Sequence, residues 1–422
     1  LRLLYLLAAY LAVPIVSSML LWRGLRDRSY WRNFSERFGF GAFEASGGVW
    51  LHAVSVGEVQ ACAPLVSAIR RRHPGLPLTV TTFTPTGAAR ARALFGDAAQ
   101  VRYVPFDLPG AVRRFFRHLQ PRLAVIFETE LWPNLYRECG RQRVPLVLAS
   151  ARLSARSVSR YRRLGALFRD TLAQTALIAA QGEGDAERFR ALGADATSTH
   201  VTGNLKFDFE LPTDIAARGA RLRQQYAADR PLWVAGSTHA GEEQAVLAAQ
   251  LRLRAAGTPA LLVLAPRHPP RFTEAAQALG AAGVSFVRRS QGEAQDADAA
   301  AEVLLLDTLG ELLDFYAAAD LAFVGGSLVP VGGHNLLEPA ALGVPILTGP
   351  YTANAAEIAR LLVARGAAEV VHNPEELAAR VSALLADAQT RARMGAHGRA
   401  AIEANRGALG KLLALIEPLL QE

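Results

Sequence analysis

The sequence is short of the residues that staple small or metal-built folds. Only two of its 422 residues are cysteine, Cys62 and Cys139, too few for a disulfide framework and not at metal-finger spacing, so a reducing compartment is expected. Lysine is almost missing too: Lys206 and Lys411 stand alone among 46 basic residues, the rest being arginine. A lysine kept against that bias suggests a place where a compact point charge is wanted, although Lys411 shows no such role. No GK[ST] closes a glycine loop and no GxGxxG follows a strand pattern, which excludes a Walker loop and a dinucleotide fingerprint. Neither a short-period repeat, nor an aromatic-basic RNA motif, nor a cluster of His, Asp and Cys at ligand spacing occurs. Solenoids, dedicated nucleic-acid binding and a required catalytic metal are therefore not expected.

What is present is a core-forming chain, 51% hydrophobic and 20% charged. At roughly 150 residues per domain it is long enough for two or three domains. The net charge of +8 is unevenly spread: residues 1–205 carry 27 basic and 14 acidic side chains, net +13, and the remainder carries 19 and 24, net −5. The halves are expected to face different partners.

From Leu3 to Trp22 the chain has 20 residues without a charge. As a helix this stretch is about 30 Å long, the thickness of a bilayer core. Arg23, Arg26, Arg28, Arg32 and Arg37 follow it where a secretory signal would have a small-residue cleavage site. The expectation is a single anchor over residues 1–22 with the body on the cytoplasmic side, the alternative being a hairpin or a buried core helix.

Beyond the anchor, apolar runs alternate with amphipathic stretches: 49–54, 78–83, 123–127, 144–150 and 176–180, then 232–237, 260–265, 284–289, 302–307, 321–326 and 344–349. This βα alternation predicts α/β architecture with two doubly wound parallel sheets. The predicted division is a first domain over 23–205, a linker over 206–230 and a second domain over 231–422, whose last helices could cross back to the first.

Ligands of such sheets sit beyond the carboxyl ends of the strands, so the turns there carry the candidates. In HAVSVGEVQA, Glu58 is either a general base or a partner of a helix dipole. In ETELWPN, Glu128 and Glu130 end a buried strand and are either helix caps or site groups. Lys206 stands in TGNLKFD at the end of the first domain, at the mouth of an expected interdomain cleft. In the second half, Arg267 and His268 suit an anion, and Gly310 is expected at a helix start with N–H groups open to phosphate. The loop FVGGSLVPVGGHNLLEPA pairs glycines with Asn335 at an expected helix start and Glu338 one turn on, the equipment for a nucleotide's phosphate and ribose. Glycines serving turns and a solvated Glu338 are the structural alternative.

The anchor, SVGE (55–58), ETELWPN, GNLKFD, GSTHAGEE (236–243), PRHPPRF, DTLGEL (307–312) and GGSLVPVGGHNLLEPA (325–340) occur in that order. Together they resemble the Kdo (3-deoxy-D-manno-octulosonic acid) transferases, glycosyltransferases of the GT-B type with two Rossmann-like domains. The resemblance implies CMP-Kdo as donor substrate, with no cofactor, and a lipid A precursor as acceptor, at the inner membrane. It assigns Glu58 as proton acceptor and Glu128 and Lys206 as transition-state stabilisers. It places CMP on Pro266, Arg267, Leu309, Gly310, Glu311, Asn335, Leu336, Leu337 and Glu338. Pro330 lies in the variable part of the glycine loop. The surplus of arginine, eight against one acid between Arg137 and Arg163, fits an anionic lipid acceptor and membrane surface. Another GT-B transferase, a nucleotide-sugar epimerase and a non-catalytic anchored binding protein are the competing readings.

Overall fold

The apolar runs become strands covered on both faces. A computed structural model describes residues 1–41, 43–292 and 301–421, and groups them in two units, Leu1–Phe209 with Asn405–Glu422, and Glu210–Ala404. The first unit holds strands β1 (Val49–His52), β2 (Leu78–Thr82), β3 (Gln100–Tyr103), β4 (Leu123–Phe127), β5 (Leu146–Ala151), β6 (Leu177–Ala180) and β7 (Thr199–Val201). The second holds β8 (Leu232–Thr238), β9 (Leu261–Pro266), β10 (Phe286–Arg288), β11 (Val303–Leu305), β12 (Leu321–Val324), β13 (Ile346–Thr348) and β14 (Ala368–Val370). Each sheet is parallel, with orders β3-β2-β1-β4-β5-β6-β7 and β10-β11-β9-β8-β12-β13-β14. The two doubly wound sheets expected from the sequence are present. Strand order reverses between β1 and β4 in one and between β8 and β12 in the other, so each has a crevice at that point.

Three strands lacked an apolar run. β3 (QVRY), β7 (THV) and β14 (AEV) lie at sheet edges with much of their surface half-covered, so their polar side chains cost little and the pattern that marks a central strand is missing.

Alternate residues of β1 face opposite cores: Val49 and Leu51 meet Val59, Cys62, Leu65 and Ile69 of the helix Val56–Arg72, while Trp50 meets Phe115 and Phe116. Ala408, Leu412, Leu413 and Ile416 complete the first of these cores. They form one stripe of the helix Ala408–Gln421, which therefore belongs to the first unit and corrects its placement in the second domain. Asp208 fastens its start by accepting the N–H groups of Gly407 and Leu409, both at 2.6 Å. The expected linker is also corrected. Its helix Ile215–Tyr226 packs into the second unit, where a Cβ on Gly219 would come within 2.7 Å of the Ala317 backbone.

The helix Arg2–Gly24 is by length and composition long and apolar enough to cross a membrane. One ridge, Ala9, Val13, Val16 and Leu20, rests on Phe106, Leu108 and Ala111. The opposite face exposes Leu3, Leu4, Leu7, Leu11 and Ile15.

Candidate active site

In the first unit the turns after β1 and β4, on either side of the strand-order reversal, bring two carboxylates together. Ser55 caps the helix Val56–Arg72, which puts Glu58 in its first turn. There the Glu58 carboxylate bends back over the helix start: Val54 N–H donates to Oε2 and Ser55 Oγ to Oε1, both at 2.9 Å. Glu58 is nonetheless almost completely buried. Burial first, and the nearby Glu128 charge second, push its carboxyl up to about 7, with Glu130 adding to the rise. These bonds make Glu58 a partner of the helix start, and burial beside a second carboxylate sets it apart from an ordinary exposed cap.

Glu128 ends β4 in the left-handed region, φ +57°, a strained conformation for a residue with a side chain. Lys206 Nζ donates to its Oε1 at 2.7 Å, across 78 positions of sequence. The lysine is set by a relay of strand ends: its own N–H donates to Asn204 Oδ1, Asn204 Nδ2 to Gln181 Oε1, and Gln181 Nε2 to the Ser150 carbonyl. Glu130 turns aside to accept from Trp132 Nε1 at 2.8 Å, and burial raises its carboxyl.

In the second unit the reversal lies between β8 and β12. The loop after β12 is organised by Glu242, a fully buried carboxylate. Its oxygens accept the N–H groups of Gly326 (2.7 Å), Ser327 (2.9 Å), Leu328 (2.9 Å) and His239 (2.9 Å). Gly326, at φ +67°, must be glycine, since a Cβ would lie 2.8 Å from the His334 ring. Glu243 beside it is taken by Arg271 through a two-pronged pair at 3.0 and 2.9 Å. Glu242→Ala is expected to orphan all four donors and cost roughly 3 kcal/mol or more of stability, read by chemical unfolding. A loss below about 1 kcal/mol would contradict this account of the loop.

The donor residues expected from the sequence gather only in part. Pro266 ends β9 buried, and Arg267 follows it exposed, its N–H donating to the Thr238 carbonyl at 2.9 Å. Asn335 does not begin a helix. Its Oδ1 accepts from Leu337 N–H at 3.0 Å and the helix Leu337–Leu342 starts two residues later, with Leu336 and Leu337 buried and Glu338 half-buried. Gly310 is likewise not a helix start, because the helix there is Leu312–Ala318. Leu309 and Gly310 are exposed, and Glu311 is held by Arg289 at 2.7 Å. In both places the chain makes a side-chain-bonded turn before helical hydrogen bonding begins, a distinction that glycine and asparagine alone do not carry.

A family model described as 3-deoxy-D-manno-octulosonic-acid transferase (kdotransferase) matches residues 32–209, and one for glycosyl transferases group 1 matches residues 276–401. A 3-deoxy-D-manno-octulosonic acid transferase of Haemophilus influenzae is 40% identical over 412 residues, 97% of this chain and 96% of that protein. The chain belongs to the Kdo transferase family. A Kdo transferase of Bordetella pertussis is 39% identical over 98% of each chain. In fold, the UDP-GlcNAc 2-epimerase of Neisseria meningitidis bound to UDP-GlcNAc is similar with a TM-score of 0.56, over 89% of this chain and 100% of that one, at 14% identity. That likeness shows the GT-B fold, which Kdo transferases thus share with epimerases.

In GSTHAGEE of this Kdo transferase, the local pattern alone marks no role for Glu242 or His239. The signal in the motif is a pair of adjacent acids beginning four residues beyond the buried strand β8, comparable to the acids that follow β4.

Proposed function

We propose that this Kdo transferase moves Kdo from CMP-Kdo to a lipid A precursor, lipid IVA, in lipopolysaccharide inner-core synthesis. The observation that carries the reading is Glu58, a buried carboxylate beside the Glu128–Lys206 pair, pushed up to about 7. A base with that affinity is matched to neutral pH. As an acceptor hydroxyl attacks the anomeric carbon of Kdo, its proton passes to Glu58. The bond from that carbon to the phosphate oxygen breaks, its electron pair leaves with CMP, and the anomeric centre inverts. Lys206, held by Glu128, stabilises negative charge near the reacting oxygen. Arg267 answers the charge on the leaving CMP. Residues Pro266 and Arg267, 309–311 and 335–338 form the nucleotide site in this reading.

The helix Arg2–Gly24 anchors the protein in the inner membrane, with the arginines that follow it on the cytoplasmic side. The arginine-rich first half then meets an anionic lipid acceptor at the membrane surface, and no nucleic acid is involved.

Incubating the purified chain with CMP-Kdo and lipid IVA is expected to give lipid IVA heavier by Kdo, with one CMP released per Kdo transferred, read by mass spectrometry. EDTA is expected to leave the rate unchanged, since one base and no metal carries the chemistry. Absence of Kdo addition would overturn the reading, and conversion of a UDP-sugar in its place would favour the epimerase class.

A further inference from the structure

Three imidazoles stand at the carboxyl ends of the three central strands of the second sheet. His239 directly follows β8, His268 comes two residues after β9, and His334 closes the glycine loop that follows β12. Nε2 of His239 and Nε2 of His334 are 2.8 Å apart, with ring planes 7° from parallel. The edge of His268 meets the His239 ring at 5.3 Å between centroids. All three flank the point where strand order reverses, where an open parallel sheet receives its ligand.

The N···N contact restricts the charge of the pair. One ring donates its N–H to the lone pair of the other, so the contact survives with a total charge of zero or +1. At +2 two N–H groups would face each other. The surroundings set the balance. Arg267 and Arg271 lie on the β9 side, and the carboxylates of the β8 turn are already engaged, Glu242 by backbone N–H groups and Glu243 by Arg271. Burial first, then Arg267 and the other two rings, push the His334 imidazolium down to about 4, and burial with the same kinds of neighbours lowers His268. Among the described residues, the groups that act on His334 and His268 are arginines and the other imidazoles, so an anion placed against the cluster would favour the protonated pair.

Resting on the CMP-sugar reading above, we propose that His239, His268 and His334, with Arg267, seat the donor's phosphate, and that the His239–His334 pair takes up one proton as CMP departs. In the donor the phosphate is a diester with one negative charge. When the sugar–oxygen bond breaks, the electron pair stays on the phosphate oxygen and the charge becomes −2. The proton comes from solvent, and the pair becomes an imidazolium–imidazole couple with its N–H···N bond kept. The histidines therefore bind the leaving group more strongly as its charge grows.

The test uses CMP, whose second phosphate ionisation lies at about 6, so that above pH 7 any proton uptake belongs to the protein. Calorimetric titration of the detergent-solubilised full chain is expected to show CMP affinity falling several-fold from pH 7 to 8.5. At pH 7, heats in buffers of different ionisation enthalpy should reveal net proton uptake. His334→Gln is expected to weaken CMP binding about tenfold or more and to flatten the pH dependence. His268→Gln, at an exposed position that tolerates substitution, is expected to weaken binding several-fold with the pH dependence kept, so a misfolded His334 variant would not decide the matter alone. CMP binding that is independent of pH, with both variants like the parent, would overturn the inference while the donor reading stands. Failure of the parent to bind CMP at all would overturn both.

Discussion

Glu58→Gln is expected to lower kcat/KM by about 10²–10⁴-fold, the usual loss when a positioned general base is removed, with CMP affinity unchanged. The same substitution is expected to make the protein more heat-stable above pH 7. An ordinary glutamate titrates at 4.5, whereas Glu58 in the folded chain titrates at about 7. Between those values the folded state holds a proton that the unfolded state has released, so stability falls as pH rises from about 4.5 to 7. By linkage the ionised Glu58 costs at most about 3 kcal/mol above pH 7, and glutamine removes that charge while keeping an acceptor for Val54 N–H or Ser55 Oγ. Thermal melts of parent and variant should therefore coincide near pH 4.5 and diverge towards pH 8, the variant melting higher. In the parent, kcat/KM should rise with pH through about 7. A variant that kept its activity, or that lost stability at pH 8, would remove Glu58 from the role of a strained catalytic base.

Substitutions of Glu128 and Lys206 are expected to displace that acidic limb in opposite directions. Lys206→Met removes the positive charge 2.7 Å from Glu128 and leaves an uncompensated carboxylate facing Glu58. The limb should move above its parental position, and the rate on its plateau should fall about 10²–10³-fold, as when one stabilising donor is lost. Glu128→Gln takes away the second cause of the raised Glu58 pKa but leaves burial, the larger one. Its limb should move down, yet stay above the 4.5 of an ordinary glutamate. General damage to the fold would lower both rates without moving the two limbs apart. Limbs that coincide with the parent's in both variants would show that the pair does not address Glu58.

Glu58, Glu128 and Lys206 were legible because each lies just beyond an apolar run or breaks the compositional bias towards arginine. Chemistry-bearing residues in those places stand out against a local pattern. The edge strands β3, β7 and β14 were not legible, because their half-covered residues tolerate polar side chains and leave no apolar run. The turns at Asn335 and Gly310 were misjudged as helix starts for a related reason: asparagine suits an Asx-bonded turn, and glycine a positive-φ turn, as well as a helix boundary.

The sequence by itself determined the class of the fold and the family, since βα alternation is a local periodicity and the motifs are local strings. Only the tertiary structure decided which strand ends become neighbours. β1 lies beside β4 and β8 beside β12, so the Glu128 charge acts on Glu58, and His239 meets His334 across 95 positions. It also decided that the helix Ala408–Gln421 returns to the first sheet, drawn by an apolar stripe that any sheet face could have buried. The pKa of Glu58 belongs with these, because it arises from burial and from a charge 70 residues away. Local pattern carries propensity and periodicity. Strand order, burial and electrostatic coupling arise from contacts between distant segments, which no stretch of sequence contains.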